Sequence, residues 1–209
     1  MKRLGLMLLP LVILASSCSR SADLHARPQP SSSRPVAIPT GWKSISYEAA
    51  GFAVSYPGPW HAYPITGDTN FVGVELQPPE NDLPRYESVV LHISLDGGGA
   101  TTINEAVSSQ RKGLRDDEKE GSTWRESRSN LDGITAYLFE ARTILNPPPP
   151  YNQTETCECV TRTYLLQWGT SHVLRVEISA TTHPLWTRYS HIGEQMAQTI
   201  RMIPSSSPL

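Results

Sequence analysis

Apolar residues recur at every second position in several short runs of the chain. Phe52, Val54 and Tyr56 share one parity, and so do Val72, Val74 and Leu76. Val89, Leu91, Ile93 and Leu95 alternate with His92 and Ser94. Ile134, Ala136 and Leu138 alternate with Tyr137 and Phe139, as a strand covered on both faces would. Val160, Tyr164, Leu166 and Trp168 form a further run, followed by His172, Leu174, Val176 and Ile178 against Arg175 and Glu177. Period two places each set on one side of a pleated strand. Ser44 to Glu48 is placed to pair with the first run across Ala49-Ala50-Gly51, and Trp168 to His172 is a glycine-containing hairpin connection.

Two segments change the period. From Thr102 to Asp117, Ile103, Ala106, Val107 and Leu114 fall on one helical stripe, with Thr102 and Glu105 at capping-box spacing. From Pro184 onward, Leu185, Trp186, Tyr189, Ile192, Met196 and Ile200 do the same, with His183 expected just outside that helix. Strands, helix, strands, helix is an α+β order, and it predicts a central antiparallel sheet flanked by helices over residues 41–203.

The first eighteen residues have another character. Lys2 and Arg3 precede an apolar run from Leu4 to Leu14, about 16 Å long as a helix and half the depth of a bilayer's hydrocarbon. Residues 1–17 therefore read as a signal peptide. The run ends in Ala15-Ser16-Ser17-Cys18, which resembles the lipobox of bacterial lipoproteins. That resemblance implies a diacylglyceryl group on Cys18 as the acylated mature N-terminus, with outer-membrane sorting in a diderm because Ser19 follows. Ordinary cleavage after small residues would instead leave Cys18 a free thiol on a secreted or periplasmic chain. Residues 18–40 are rich in Pro, Ser and Arg without apolar periodicity, which predicts a disordered tether reaching about 60 Å when extended. Residues 204–209 are expected to be loose as well.

Charge narrows the partners. Removing Lys2 and Arg3 from 18 basic residues leaves 16 against 20 acidic ones, a net of −4. No basic excess is present to neutralise phosphates, so nucleic acid is not expected as a partner.

Gly51-Phe-Ala-Val-Ser-Tyr-Pro-Gly-Pro-Trp60 resembles the opening motif of PsbP-like domains, found in the photosystem II protein PsbP and in many bacterial lipoproteins. Gly51, Phe52, Tyr56, Pro57 and Trp60 carry the resemblance, and the closing Gln198-Thr-Ile-Arg-Met-Ile203 is similar to the family's last element. It implies an α-β-α sandwich with a central antiparallel sheet over residues 42–203. It supplies no catalytic or cofactor residue.

Candidate chemistry is sparse. Cys157 and Cys159 are two apart, which in a regular strand sets their Cα atoms about 6.6–7 Å apart, at the upper limit for a disulfide. A bend would let them close into a strained, reducible bond; otherwise they are structural thiols, or soft-metal ligands. His25, His61, His92, His172, His183 and His191 show no metal-ligand spacing. Asp96 to Thr102 lacks the lysine of a phosphate-binding loop, and Asn146 to Tyr151 reads as a short polyproline stretch. The expectation is a lipid-anchored envelope protein, not an enzyme, without cofactor. It would act as a binding or accessory module through a sheet face or the proline-rich loop, with an envelope protein as possible partner. The alternatives are an envelope redox or metal protein using Cys157 and Cys159, and a small-molecule carrier.

Overall fold

A computed structural model describes residues 37–66, 72–83, 88–95, 99–131, 133–145 and 157–203. The signal peptide, Cys18, nearly all of the tether, the Asn146–Tyr151 stretch and the tail 204–209 lie outside the described residues.

Strands β1 (Trp42–Tyr47) and β2 (Phe52–Pro57) form an antiparallel hairpin across a 3-10 turn at Glu48–Ala50. Gly51 ends that turn with φ +68°, a conformation costly for any residue with a Cβ. The short β10 (Arg201–Met202) adds to the free side of β2. The second sheet is larger: β3 (His61–Thr66), β4 (Val72–Gln77), β5 (Val89–Leu95), β6 (Thr123–Leu131), β7 (Ile134–Leu145), β8 (Cys157–Trp168) and β9 (His172–Ala180). Its order is β3-β4-β5-β9-β8-β7-β6, antiparallel throughout. Helix α1 (Ile103–Glu118) enters between β5 and β6, and α2 (His183–Gln198) follows β9.

The fold is α+β, with a central antiparallel sheet flanked by helices. Period two sorts the β-residues into two apolar layers. Leu76, Leu91, Ile93, Leu166, Leu174, Val176 and Ile178 pack with Leu185, Tyr189 and Met196 of α2 and with Phe52 and Val54 of β2. The opposite parity supplies Phe139, Leu165 and Val173, which pack under Ala106, Val107 and Leu114 of α1. So α2 and the small sheet cover one face, and α1 covers part of the other. In α2, a Cβ on Gly193 would lie 2.7 Å from Ile178 Cγ2, so the bare glycine lets the helix approach β9 closely.

Both helices lie where the periodicity places them, and the Thr102–Glu105 capping box is formed. One boundary differs: His183 is the first residue of α2 rather than a residue outside it. Thr182 stays extended as N-cap, and the first-turn N–H groups have no helical acceptor, so Pro184 costs no bond there. Three strands escape the pattern. β3 carries Pro64 and lies at a sheet edge; β6 lies at the other edge and is polar on both faces except at Trp124 and Leu131; β10 has only two residues.

Candidate functional site

The half of the large sheet that α1 does not cover carries a row of polar side chains set by strand register. Tyr63 pairs with Glu75, Glu75 with His92, His92 with Glu177, and Glu177 with Thr163. These residues have the parity opposite to the α2-facing core, so they stand together on one face. Gln77 and Ser94 occupy the neighbouring rows of the same face, with Arg175 beside Ser94. Tyr63, on the edge strand, is 46% exposed.

The row is held in place. Gln77 donates to the Glu75 carboxylate from the same strand. Arg175 donates to Glu177 at 3.2 Å and to the Gln110 side chain on α1 at 2.6 Å, which ties the row to the helix. Thr163 Oγ1 donates to Glu177 at 3.4 Å. His92 is half-buried, and burial lowers its pKa below the usual 6.5 against the pull of Glu177 and Glu75; Arg175 adds to the lowering. A cleft of about 130 Å³ under α1, lined by Gln110, Leu114, Leu165, Val173 and Arg175, opens beside this row.

A second polar cluster lies on the α2 side. Glu140 of β7 accepts from Arg125 of β6 and from Arg162 Nη2 of β8, the latter at 2.5 Å. Arg162 also pairs with Glu194 of α2 and lies 5.5 Å over the Trp186 ring. Hydrogen bonds from Arg125 and then Arg162 hold the Glu140 carboxyl below its usual pKa, against burial. Arg162 is only 18% exposed and both of its carboxylate partners are engaged, so this network clamps α2 to the sheet. A cleft of about 410 Å³ runs past it, lined by Arg125, Arg142, Arg162 and Trp186 among others.

The residues singled out from the sequence are dispersed. Phe52 is fully buried and stacks on Tyr47 at 5.9 Å. Pro57 ends β2; its carbonyl accepts the Trp60 N–H at 3.0 Å, and Trp60 turns back to meet Tyr189 edge-on at 6.0 Å. Tyr56 packs half-buried on the same core, and Gly51 O accepts the Ile203 N–H at 2.9 Å. These five residues join β2 to the core; none lies on the polar row. Cys157 and Cys159 both fall within β8, though the side chain of Cys157 is outside the described residues. Cys159 is a free thiol on the α1 side, its pKa raised by burial and by Glu177, which makes it a weak nucleophile near neutral pH. At the start of α1, Glu105 accepts from the backbone N–H groups of Thr101 and Thr102 at 3.1 Å each, occupying the place an anion would take. Among the described residues no group of three His, Cys, Asp or Glu side chains is placed to hold a metal ion, and no helix is long and apolar enough to cross a membrane.

Glu75, Arg175 and Glu177 are the functional candidates that motif reading passes over. Their only signal is the polar parity of β4 and β9, which looks like any solvated strand face until the register aligns them.

No family model matches the chain, and no curated protein matches it. Solved structures do. The chain is similar to cyanobacterial PsbP (CyanoP) from Synechocystis, a member of the family its opening motif resembles, with TM-score 0.48 and 15% identity over 82% of this chain and 98% of that one. It is similar to LpqN of Mycobacterium tuberculosis, described as involved in cell envelope biogenesis, with TM-score 0.48 and 11% identity over 78% and 91%. It is also similar to the Ran-binding protein Mog1p of Saccharomyces cerevisiae, with TM-score 0.46 and 12% identity over 79% and 97%.

Proposed function

We propose that the protein is a non-enzymatic binding or accessory module of the bacterial cell envelope, moored to the membrane through a lipid on Cys18. Its working surface is the half of the large sheet that α1 does not cover, centred on His92. One observation carries this reading: Glu75, His92 and Glu177 stand side by side in fixed register with Arg175 in the next row, and hydrogen bonds from Gln77, Thr163 and Arg175 hold the two carboxylates. Side chains ordered before contact lose little freedom on binding, which favours recognition. The mix of carboxylates, imidazole and guanidinium suits a polar protein surface. The Ala15–Cys18 sequence supports the anchor.

A photo-crosslinking amino acid placed at Tyr63, and separately at Met202 on the small sheet, tests the surface in living cells. Both side chains are exposed. The reading expects one recurrent adduct from position 63 and none from position 202. No adduct from either, or the same adduct from both, contradicts it.

A further inference from the structure

The two edges of the large sheet are unlike. The β3 edge carries Pro64, which has no N–H to offer a further strand. The β6 edge has nine residues, no proline, and no described strand beside it. Leu131 pairs with Ile134 at the hairpin closure. The pair closing a two-residue turn is a hydrogen-bonded one, so Leu131, Ser129, Ser127 and Arg125 direct their backbone groups to β7. Asn130, Arg128, Glu126 and Trp124 direct theirs outward. The Asn130 carbonyl agrees, since it accepts the Gln198 side-chain amide rather than a β7 donor.

We infer that β6 pairs antiparallel with β6 of a second copy, centred on Ser127, to make one continuous sheet across a two-fold axis. The charges select that register. Centred on Ser127, Glu126 of each copy meets Arg128 of the other, on the same face and as a hydrogen-bonded pair. Centred one residue earlier, Glu126 meets Glu126; one residue later, Arg128 meets Arg128; centred on Arg125, like charges meet again. Opposite-charge cross-strand pairs stabilise a ladder and like pairs destabilise it. Inside each copy Arg111 of α1 binds both oxygens of Glu126 at 2.7 Å, and Arg128 lies over the Tyr137 ring of β7 at 3.1 Å, so both side chains are ordered on the α1 face of the strand.

Ser127 would sit on the axis as a non-hydrogen-bonded pair, its two Cα atoms about 4.5 Å apart and within disulfide range. The copies of Ser129 would be displaced by four residues, about 13 Å further along the strands. The test is oxidative crosslinking of the full-length chain in cells that express it. Ser127→Cys should give a disulfide dimer well above the unsubstituted chain, and Ser129→Cys should not. Adding Arg128→Glu to Ser127→Cys should cut the yield about tenfold by setting carboxylates against each other. Co-expressing it with the Glu126→Arg, Ser127→Cys chain should restore the yield, because every charged pair is then opposite; that rescue also shows that both chains fold. Absence of a Ser127→Cys dimer, equal crosslinking at Ser129→Cys, or no rescue by co-expression overturns the inference.

Discussion

His92 of β5 stands directly across the ladder from Glu177 of β9, yet its pKa lies below rather than above the usual value. Burial is the larger effect and lowers the pKa below 6.5; Glu177 and Glu75 oppose it, and Arg175 adds to it. A lowered histidine pKa means that the unfolded chain binds more protons than the folded one between the two values. The stability tied to His92 is therefore complete above pH 6.5 and is lost as pH falls through the folded pKa. Thermal melts from pH 7.5 down to 5 should show this loss for the native chain and a flatter profile for His92→Gln. Glu177→Gln removes the carboxylate that opposes burial, so its acid-side loss should be deeper.

Trp60 is 6% exposed and closes the turn after β2 against Tyr189 of α2. Trp60→Ala empties that space and should destabilise the domain by about 3–5 kcal/mol, while Trp60→Phe keeps an aromatic contact and should cost clearly less. Chemical denaturation of both variants measures the difference. Equal losses would show that the indole does not pack as described.

Thr199 joins the end of α2 to β2. Its hydroxyl accepts the Ser55 N–H at 2.8 Å and donates to the Met196 carbonyl at 2.7 Å. Thr199→Val keeps the shape and leaves Ser55 N–H without that acceptor, for an expected loss of about 1–3 kcal/mol. Hydrogen exchange at Ser55 should accelerate in the variant, with protection in β7 unchanged apart from the global loss.

Arg162→Met removes the cation between Glu140 and Glu194. Glu140 is ionised at neutral pH with a depressed pKa, so its contribution is present above the ordinary carboxylate range and is lost as pH falls through the folded value. Without Arg162 that pKa rises toward normal. The variant should be less stable than the native chain at pH 7, and the gap should narrow toward pH 3 in denaturant titrations.

The sheet was legible wherever one strand face is apolar and the other polar: β2, β4, β5, β8 and β9 all announce themselves by parity. β6 was hidden because Thr123 to Asn130 puts polar or half-exposed residues on both faces of an edge strand, and β3 because Pro64 argues against a strand while an edge tolerates it. The motif Gly51–Trp60 could be read as a strand entering a turn, since Pro57 and Gly58 punctuate it. The polar row could not be read at all. His92 and Glu177 are 85 positions apart in the numbering, and only the β5–β9 pairing, which skips over α1 and three strands, makes them neighbours. Local pattern specifies faces; strand order decides which faces meet.

The mooring at Cys18 is tested most directly by the intact mass of the protein extracted from membranes of its own cells. The account expects a chain that starts at Cys18, lacks residues 1–17, and carries the added mass of a diacylglyceryl group with or without an amide-linked acyl chain. A chain that retains Met1, or one that begins at or near Cys18 with an unmodified thiol, contradicts it.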